Sequence, residues 1–96
     1  MINEIAGRGW LRTTLGSSTA SYSLRLKDAD SISPEMSAEG LLRADITMMV
    51  EAQEGGRATL VLENGRGVAV RVLELAPEGL RVRVDEPLSF WPGADT

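Results

Sequence analysis

Two arginines near the start of the chain are the residues best suited to hold an anionic ligand. They are the outer residues of the segment Arg8-Gly9-Trp10-Leu11-Arg12. A planar guanidinium forms paired hydrogen bonds to carboxylates and phosphates, and it stacks on flat rings. Trp10 lies between the two arginines, where it either anchors an N-terminal arm to the core or stacks on a ligand.

A second polar motif occurs further along the chain, in Glu35-Met36-Ser37-Ala38-Glu39-Gly40-Leu41. Glu35 offers a carboxylate acceptor and Ser37 a hydroxyl, and both groups can hydrogen-bond to a base or a phosphate. Gly40 has no Cβ, so a ligand can approach the backbone closely there. Together, the two motifs are typical of a binding site.

In order and spacing, the two motifs resemble those of the PilZ domain family, which are bacterial receptors for cyclic di-GMP. That family shows an RxxxR segment and then, one strand later, a [D/N]xSxxG segment. Here Glu35 stands at the D/N position, and its carboxylate lies one methylene further from the backbone than that of an aspartate would. The resemblance runs from Arg8 to about Leu88 and includes the glycine turn at Gly55-Gly56 and the closing hairpin.

The resemblance implies a ligand-binding set and a function. Arg8 and Arg12 would clamp the phosphates and bases of cyclic di-GMP, while Glu35, Ser37 and Gly40 would form the floor that reads guanine. The implied function is a regulatory module in bacterial signalling that orders its N-terminal arm when the ligand binds. The same family includes domains that bind no nucleotide, so a protein-interaction adaptor is the alternative.

The composition excludes several kinds of catalysis. The 96 residues include no cysteine and no histidine, which removes disulfides, thiolate chemistry and histidine acid–base catalysis. We therefore predict that the protein is not an enzyme and uses neither a metal nor a cofactor. Its expected partners are cyclic di-GMP and another protein, and its oligomeric state is left open.

The charge balance and the apolar runs bear on the remaining partners. Fourteen acidic residues outnumber ten basic ones, nine of them arginine, for a net charge of −4. A phosphate-backbone binder normally carries a basic excess, so this balance predicts no nucleic-acid partner. No apolar run is long enough to span a bilayer and no signal peptide is visible, which predicts a cytoplasmic protein without a membrane partner.

The second half of the chain has the clearest secondary-structure pattern. Strands are predicted over 57–63, 67–75 and 80–85, because apolar residues alternate with polar ones in each. Asn64-Gly65 and the segment 76–79 are turns between them. This pattern predicts a three-stranded meander with one buried face and one solvated face.

The first half is less regular. Residues 9–14 form either a short strand or an ordered arm, 16–19 are turn-like, 20–27 alternate as a strand, and 28–37 form the longest loop. Ser33-Pro34-Glu35 has the composition of a helix start. Apolar residues nevertheless fall on every second position from Leu42 to Val50, so we predict a strand over 39–51 followed by a turn at 53–56.

These elements predict the fold class and its boundaries. About six antiparallel strands with free edges would aggregate, so closure into a small barrel is expected. The predicted fold is all-β, a small six-stranded antiparallel barrel of PilZ type. A single domain over 1–96 is divided into a flexible N-terminal arm (1–12), the barrel (13–88) and a C-terminal tail (89–96) whose Phe90-Trp91-Pro92 covers an open barrel end or meets a partner.

Overall fold

Alternation of buried and exposed side chains shapes most strands of the described part of the chain. The computed structural model describes residues 3–27 and 37–91. The strands are β1 (Glu4–Thr13), β2 (Gly16–Lys27), β3 (Ser37–Arg43), β4 (Arg57–Val61), β5 (Gly67–Ala76) and β6 (Gly79–Val84). A helix, α1 (Ile46–Gly55), connects β3 to β4, and a short 3-10 helix (Leu88–Phe90) follows β6.

The six strands close into an antiparallel barrel in the order β1-β2-β3-β6-β5-β4. Two three-stranded meanders, β1-β2-β3 and β4-β5-β6, join along two seams, one between β1 and β4 and the other between β3 and β6. The predicted six-stranded antiparallel barrel is therefore confirmed. Closure gives every strand two paired neighbours, which reduces the aggregation hazard of an open sheet.

The core lies inside the barrel and is mostly aliphatic. Its fully buried side chains are Leu11, Leu24, Leu42, Leu60, Leu80, Val68, Val70 and Val82. Two aromatic residues join them, because Trp91 is only 2% exposed and Tyr22 is 7% exposed. The Tyr22 hydroxyl remains satisfied by accepting a hydrogen bond of 3.0 Å from the backbone N–H of Glu63.

The predicted strand over 39–51 is wrong beyond residue 43. The Asp45 side chain caps a helix by accepting a hydrogen bond of 2.9 Å from the backbone N–H of Thr47. Gly56 ends the helix in the left-handed conformation, at φ 79°, so the predicted turn at 53–56 is the last helical turn and its cap. Met48 and Met49 are both buried, a consecutive pair that a strand with one buried face cannot place.

Two boundaries of the prediction also change. The predicted flexible arm is mostly strand, because β1 pairs with β2 along its whole length and also with β4. The turn predicted at 16–19 lies two residues earlier, at Thr14-Leu15, since Gly16 already pairs with Thr13. The tail contributes a core residue at Trp91, next to Phe90 in an edge-to-face contact.

Candidate functional site

The outward side chains of β1 form a stripe that contains the first sequence motif. Arg8, Trp10 and Arg12 point outward, while Gly9 and Leu11 point into the barrel, because successive side chains in a strand alternate. Both arginines are exposed, and Trp10 is 46% exposed. The sequence left two roles open for this tryptophan, anchoring an arm or stacking on a ligand. An exposed ring beside cations favours stacking on a ligand.

A groove of about 410 Å³ beside β1 includes the first arginine of the motif. We call it the Trp10 groove; its lining residues are Arg8, Gly9, Trp10, Thr19, Ala20, Ser21 and Arg43. Ser21 on β2 lies opposite Arg8 on one side and opposite Arg43 on the other. Two strand spacings therefore separate the arginine Cα atoms, roughly 10 Å, with a hydroxyl between them.

In the part of the chain that the structure describes, neither arginine of the Trp10 groove forms an ion pair with a carboxylate. Within residues 3–27 and 37–91, the ion pairs engage other cations, namely Arg25, Lys27, Arg71, Arg81 and Arg83. Glu63 approaches Arg8 only at the backbone, where its Oε1 accepts a hydrogen bond of 3.2 Å from the main-chain N–H. Both guanidinium groups therefore keep all their donors for a ligand.

Arg12 lies in a different groove, of about 590 Å³. We call it the Arg12 groove; it is lined by Arg12, Thr13, Thr14, Arg57, Ala58, Thr59, Ala69, Val70 and Asp85. Thr59 on β4 pairs with Arg12, which places Arg57 on the diagonal, at about 7–8 Å. The two arginines of the sequence motif thus face two separate depressions on the same side of the barrel.

The second sequence motif is not brought to the arginines. Ser37 begins β3 opposite Lys27, whereas Arg43, at the other end of β3, is level with Arg8. Six residues of strand separate the two levels, so Ser37 lies on the order of 20 Å from Arg8. Glu35 lies outside the described residues.

Gly40 has a structural reason to be glycine. It pairs with Leu24 and Val82, which are both buried, so this position faces the inside of the barrel and away from Arg8. A Cβ built on Gly40 would overlap the carbonyl oxygen of Ser23 on β2. The close approach that this glycine allows is therefore an approach of β3 to its neighbouring strand.

Next to Gly40, Glu39 forms an ion-pair cluster that sequence reasoning missed. Its carboxylate accepts hydrogen bonds from Arg83, at 2.9 Å from Nε, and lies 3.6 Å from the Lys27 Nζ. Hydrogen bonding by Arg83 lowers the pKa of Glu39 below 4.5, against the opposing effect of partial burial. These groups satisfy one another, in contrast to the arginines around Trp10.

Arg43 is the functional candidate that sequence reasoning missed. Its outward position was visible from the alternation along β3, but its proximity to Arg8 depends on the register of two successive strand pairs.

Comparisons with models of protein families, with characterised proteins and with solved structures find no match for this chain. In residues 3–27 and 37–91, no helix is long and apolar enough to cross a membrane.

Proposed function

We propose that this protein is a PilZ-like regulatory module that binds a phosphate-bearing nucleotide in the Trp10 groove, with cyclic di-GMP as the ligand to test first. One observation carries the proposal: two arginines that have no ion pair among the described residues flank Ser21, beside a half-exposed tryptophan. The choice of cyclic di-GMP comes from the resemblance in sequence, and the choice of groove comes from the geometry.

Each residue of the groove has a distinct role in this proposal. Arg8 and Arg43 hold phosphate oxygens from two sides, because bidentate guanidinium–phosphate pairs are short and strong. Trp10 supplies a flat surface for a guanine, where stacking contributes about 1–3 kcal/mol per base. Ser21 and Thr19 add hydroxyl donors and acceptors between the charges.

This site differs from the clamp that the sequence resemblance implies. Arg43 takes the place of Arg12 as the second phosphate ligand, and neither Ser37 nor Gly40 contributes to the groove. The proposal does not use ordering of an arm as the regulatory signal, since β1 is already paired with β2 along its whole length and with β4 from Trp10 to Arg12. In this form of the proposal, the ligand alters the charge and shape of the outer face that a partner meets.

The test is isothermal titration calorimetry with cyclic di-GMP, using the full chain. We expect binding at ligand concentrations up to about 100 µM. Arg8→Gln or Arg43→Gln should weaken it roughly 10- to 100-fold, since a hydrogen bond to a charged group contributes about 1.5–3 kcal/mol. Arg81→Gln is the matched control, because Arg81 is already paired with Glu74 at 2.9 Å.

The variants also separate the two possible clamps. If Arg12→Gln abolishes binding while Arg43→Gln does not, the ligand follows the sequence motif and the Trp10 groove is the wrong site. The absence of heat and of any thermal shift for the wild-type protein would remove cyclic di-GMP as the ligand.

An exposed apolar surface favours the adaptor as the second candidate function. Ile46 and Val50 lie one turn apart on α1 and are 61% and 37% exposed, and Leu15 in the β1–β2 turn is 61% exposed. A hydrogen bond of 2.9 Å from Thr14 to Glu51 holds that turn against the helix. Photo-crosslinking from position 46, with position 25 as control, should give a discrete protein adduct only from the helix if this surface binds a partner.

A further inference from the structure

Five arginines form no ion pair within the described residues, and four of them lie on β1, β3 and β4 around Trp10. The fifth, Arg66, lies in the turn between β4 and β5, with its guanidinium 5.9 Å from the centre of the Phe90 ring. Arg8, Arg12, Arg43 and Arg57 form no ion pair within the described residues, and all four are exposed. The other cations of the strands are each held by a carboxylate, in the pairs Arg25–Glu4, Lys27–Glu39, Arg71–Asp85, Arg81–Glu74 and Arg83–Glu39. The net charge of −4 is a sum over the chain and does not describe this face.

The four arginines lie on both sides of Trp10. Arg8 and Arg12 are the outward neighbours of Trp10 on β1, and their Cα atoms are about 13 Å apart along the strand. Arg43 extends the row beyond Arg8, across β2, and Arg57 extends it beyond Arg12, onto β4. The result is a track of two cationic pairs with an aromatic surface between them.

The half of the track in the Arg12 groove is built from small side chains. Thr59, Ala58 and Ala69 form its floor, so nothing bulky separates Arg12 from Arg57. The carboxylate at its border, Asp85, is 3.5 Å from the Arg71 guanidinium and is balanced by it. A small ligand confined to the Trp10 groove would leave the cations of the Arg12 groove unused.

We infer that the track binds a short single-stranded oligonucleotide, with one base stacked on Trp10 and backbone phosphates on either side held by Arg8 with Arg43 and by Arg12 with Arg57. An aromatic surface inside a cationic track is how proteins bind single strands without reading their sequence. A duplex hides its base faces from an aromatic side chain, so Trp10 favours a single strand over a duplex. The inference rests on the proposed function for the Trp10 groove and extends it to a second groove.

Two carboxylates lie at the border of the track, namely Glu63, which accepts a hydrogen bond from the Arg8 main chain, and Asp85, which is paired with Arg71. The more distant acidic residues affect this face only weakly. Exposed charges further away than about 8–10 Å are largely screened at physiological salt. Binding through the track is therefore expected to depend steeply on salt, with a slope of log K against log salt of about −0.7 for each phosphate contact on a single strand. One phosphate contact for each of the four arginines predicts a slope of roughly −3.

Tryptophan fluorescence provides the measurement. The chain has two tryptophans, and because Trp91 is only 2% exposed, quenching by a bound base reports on Trp10. An oligo-dT octamer and an oligo-U octamer, titrated at two salt concentrations, are the probes, and they also tell whether DNA or RNA is preferred. We expect quenching by an octamer and no comparable quenching by a dT dinucleotide.

Two variants locate the second half of the track. Arg57→Gln and Arg12→Gln should each weaken octamer binding about tenfold and reduce the salt slope by about 0.7. They should leave cyclic di-GMP binding unchanged, and unaltered melting temperatures would show that both variants fold. Arg81→Gln, which removes a cation already paired with Glu74, should change neither property.

The possible outcomes distinguish this inference from the proposed function. If cyclic di-GMP binds and the octamers do not quench Trp10, the inference is overturned and the proposed function stands. Octamer binding that is indifferent to both Arg57→Gln and Arg12→Gln overturns it as well. If Arg57→Gln weakens octamer binding as expected and cyclic di-GMP does not bind, the track is supported and cyclic di-GMP is excluded as a ligand.

Discussion

The backbone of β3 passes so close to β2 at Gly40 that a Cβ there would overlap the Ser23 carbonyl oxygen. A glycine in a binding motif and a glycine at a close strand contact look identical in a sequence. The structure separates the two explanations, because this position faces the core beside Leu24 and Val82 and not the grooves around Trp10.

Gly40→Ala should therefore destabilise the fold whether or not a ligand is present. Overpacking of this kind lowers the free energy of unfolding by about 1–3 kcal/mol, which urea denaturation would measure. Gly55→Ala is the matched control, since a Cβ at Gly55 meets nothing within 4 Å and helical alanine is favoured by about 0.5–1 kcal/mol. Unchanged stability in Gly40→Ala would refute the close approach.

Glu39 gives a second prediction, on acid stability. Because Arg83 lowers the pKa of Glu39 in the folded protein below 4.5, its contribution to stability is fully present above that value. The contribution is lost as the pH falls through the lower, folded pKa. Glu39→Gln should thus be less stable than wild type near neutral pH, and the difference in unfolding free energy should shrink as the pH falls below 4.5 and through the lower, folded pKa.

Measuring the unfolding free energies of wild type and Glu39→Gln across this acid range would test whether their difference shrinks as the pH falls. Glu74→Gln is a suitable control, because Glu74 and Arg81 are each half exposed and such surface pairs contribute only about 0–1 kcal/mol. A gap between wild type and Glu39→Gln that stays constant with pH would contradict the assignment.

At the scale of elements, α1 shows where a sequence pattern misleads. The apolar residues at every second position from Leu42 to Val50 fit a strand, yet Ile46 and Val50 lie on the exposed side of a helix. The informative signals were local: Asp45 as a helix cap, the consecutive pair Met48-Met49, and Gly56 as a stop. The strands of the second meander were predictable because alternation and turn residues agreed there.

The cap at Asp45 is expected to be important for stability. Asp45→Ala leaves the Thr47 N–H without its side-chain acceptor and should destabilise the protein by about 0.5–2 kcal/mol. Asp45→Asn keeps an acceptor oxygen at the same place and should recover most of that loss. Chemical denaturation of the three proteins would measure both effects, and equal losses in the two variants would show that the cap bond to Thr47 is not the cause.

At the scale of the whole molecule, the strand order determines the candidate site. Closure into a barrel followed from the number of strands, but the order β1-β2-β3-β6-β5-β4 did not. That order brings β4 beside β1 and so places Arg57 near Arg12, while the β1–β2–β3 register places Arg43 near Arg8. Alternation predicts which side chains face outward, whereas their neighbours depend on long-range pairing that no local pattern encodes.

The seam between β1 and β4 links this architecture to binding. Pairing there is confined to Trp10, Leu11 and Arg12 on β1, whereas β1 pairs with β2 over its full length. Fewer hydrogen bonds hold the seam, so it should open locally at a lower free energy than the meanders. An octamer held by Arg12 on β1 and Arg57 on β4 would bridge the two strands and oppose that opening.

Hydrogen exchange followed by NMR tests this coupling. With a saturating oligo-U octamer, the amides of Leu11 and Leu60 should gain more protection than those of Leu42 and Leu80, which face each other across the other seam. The excess should vanish in Arg57→Gln, because that variant still stacks a base on Trp10 but no longer holds β4. Equal gains at both seams would mean that the octamer only stabilises the folded state by mass action, and the bridge across β1 and β4 would be refuted.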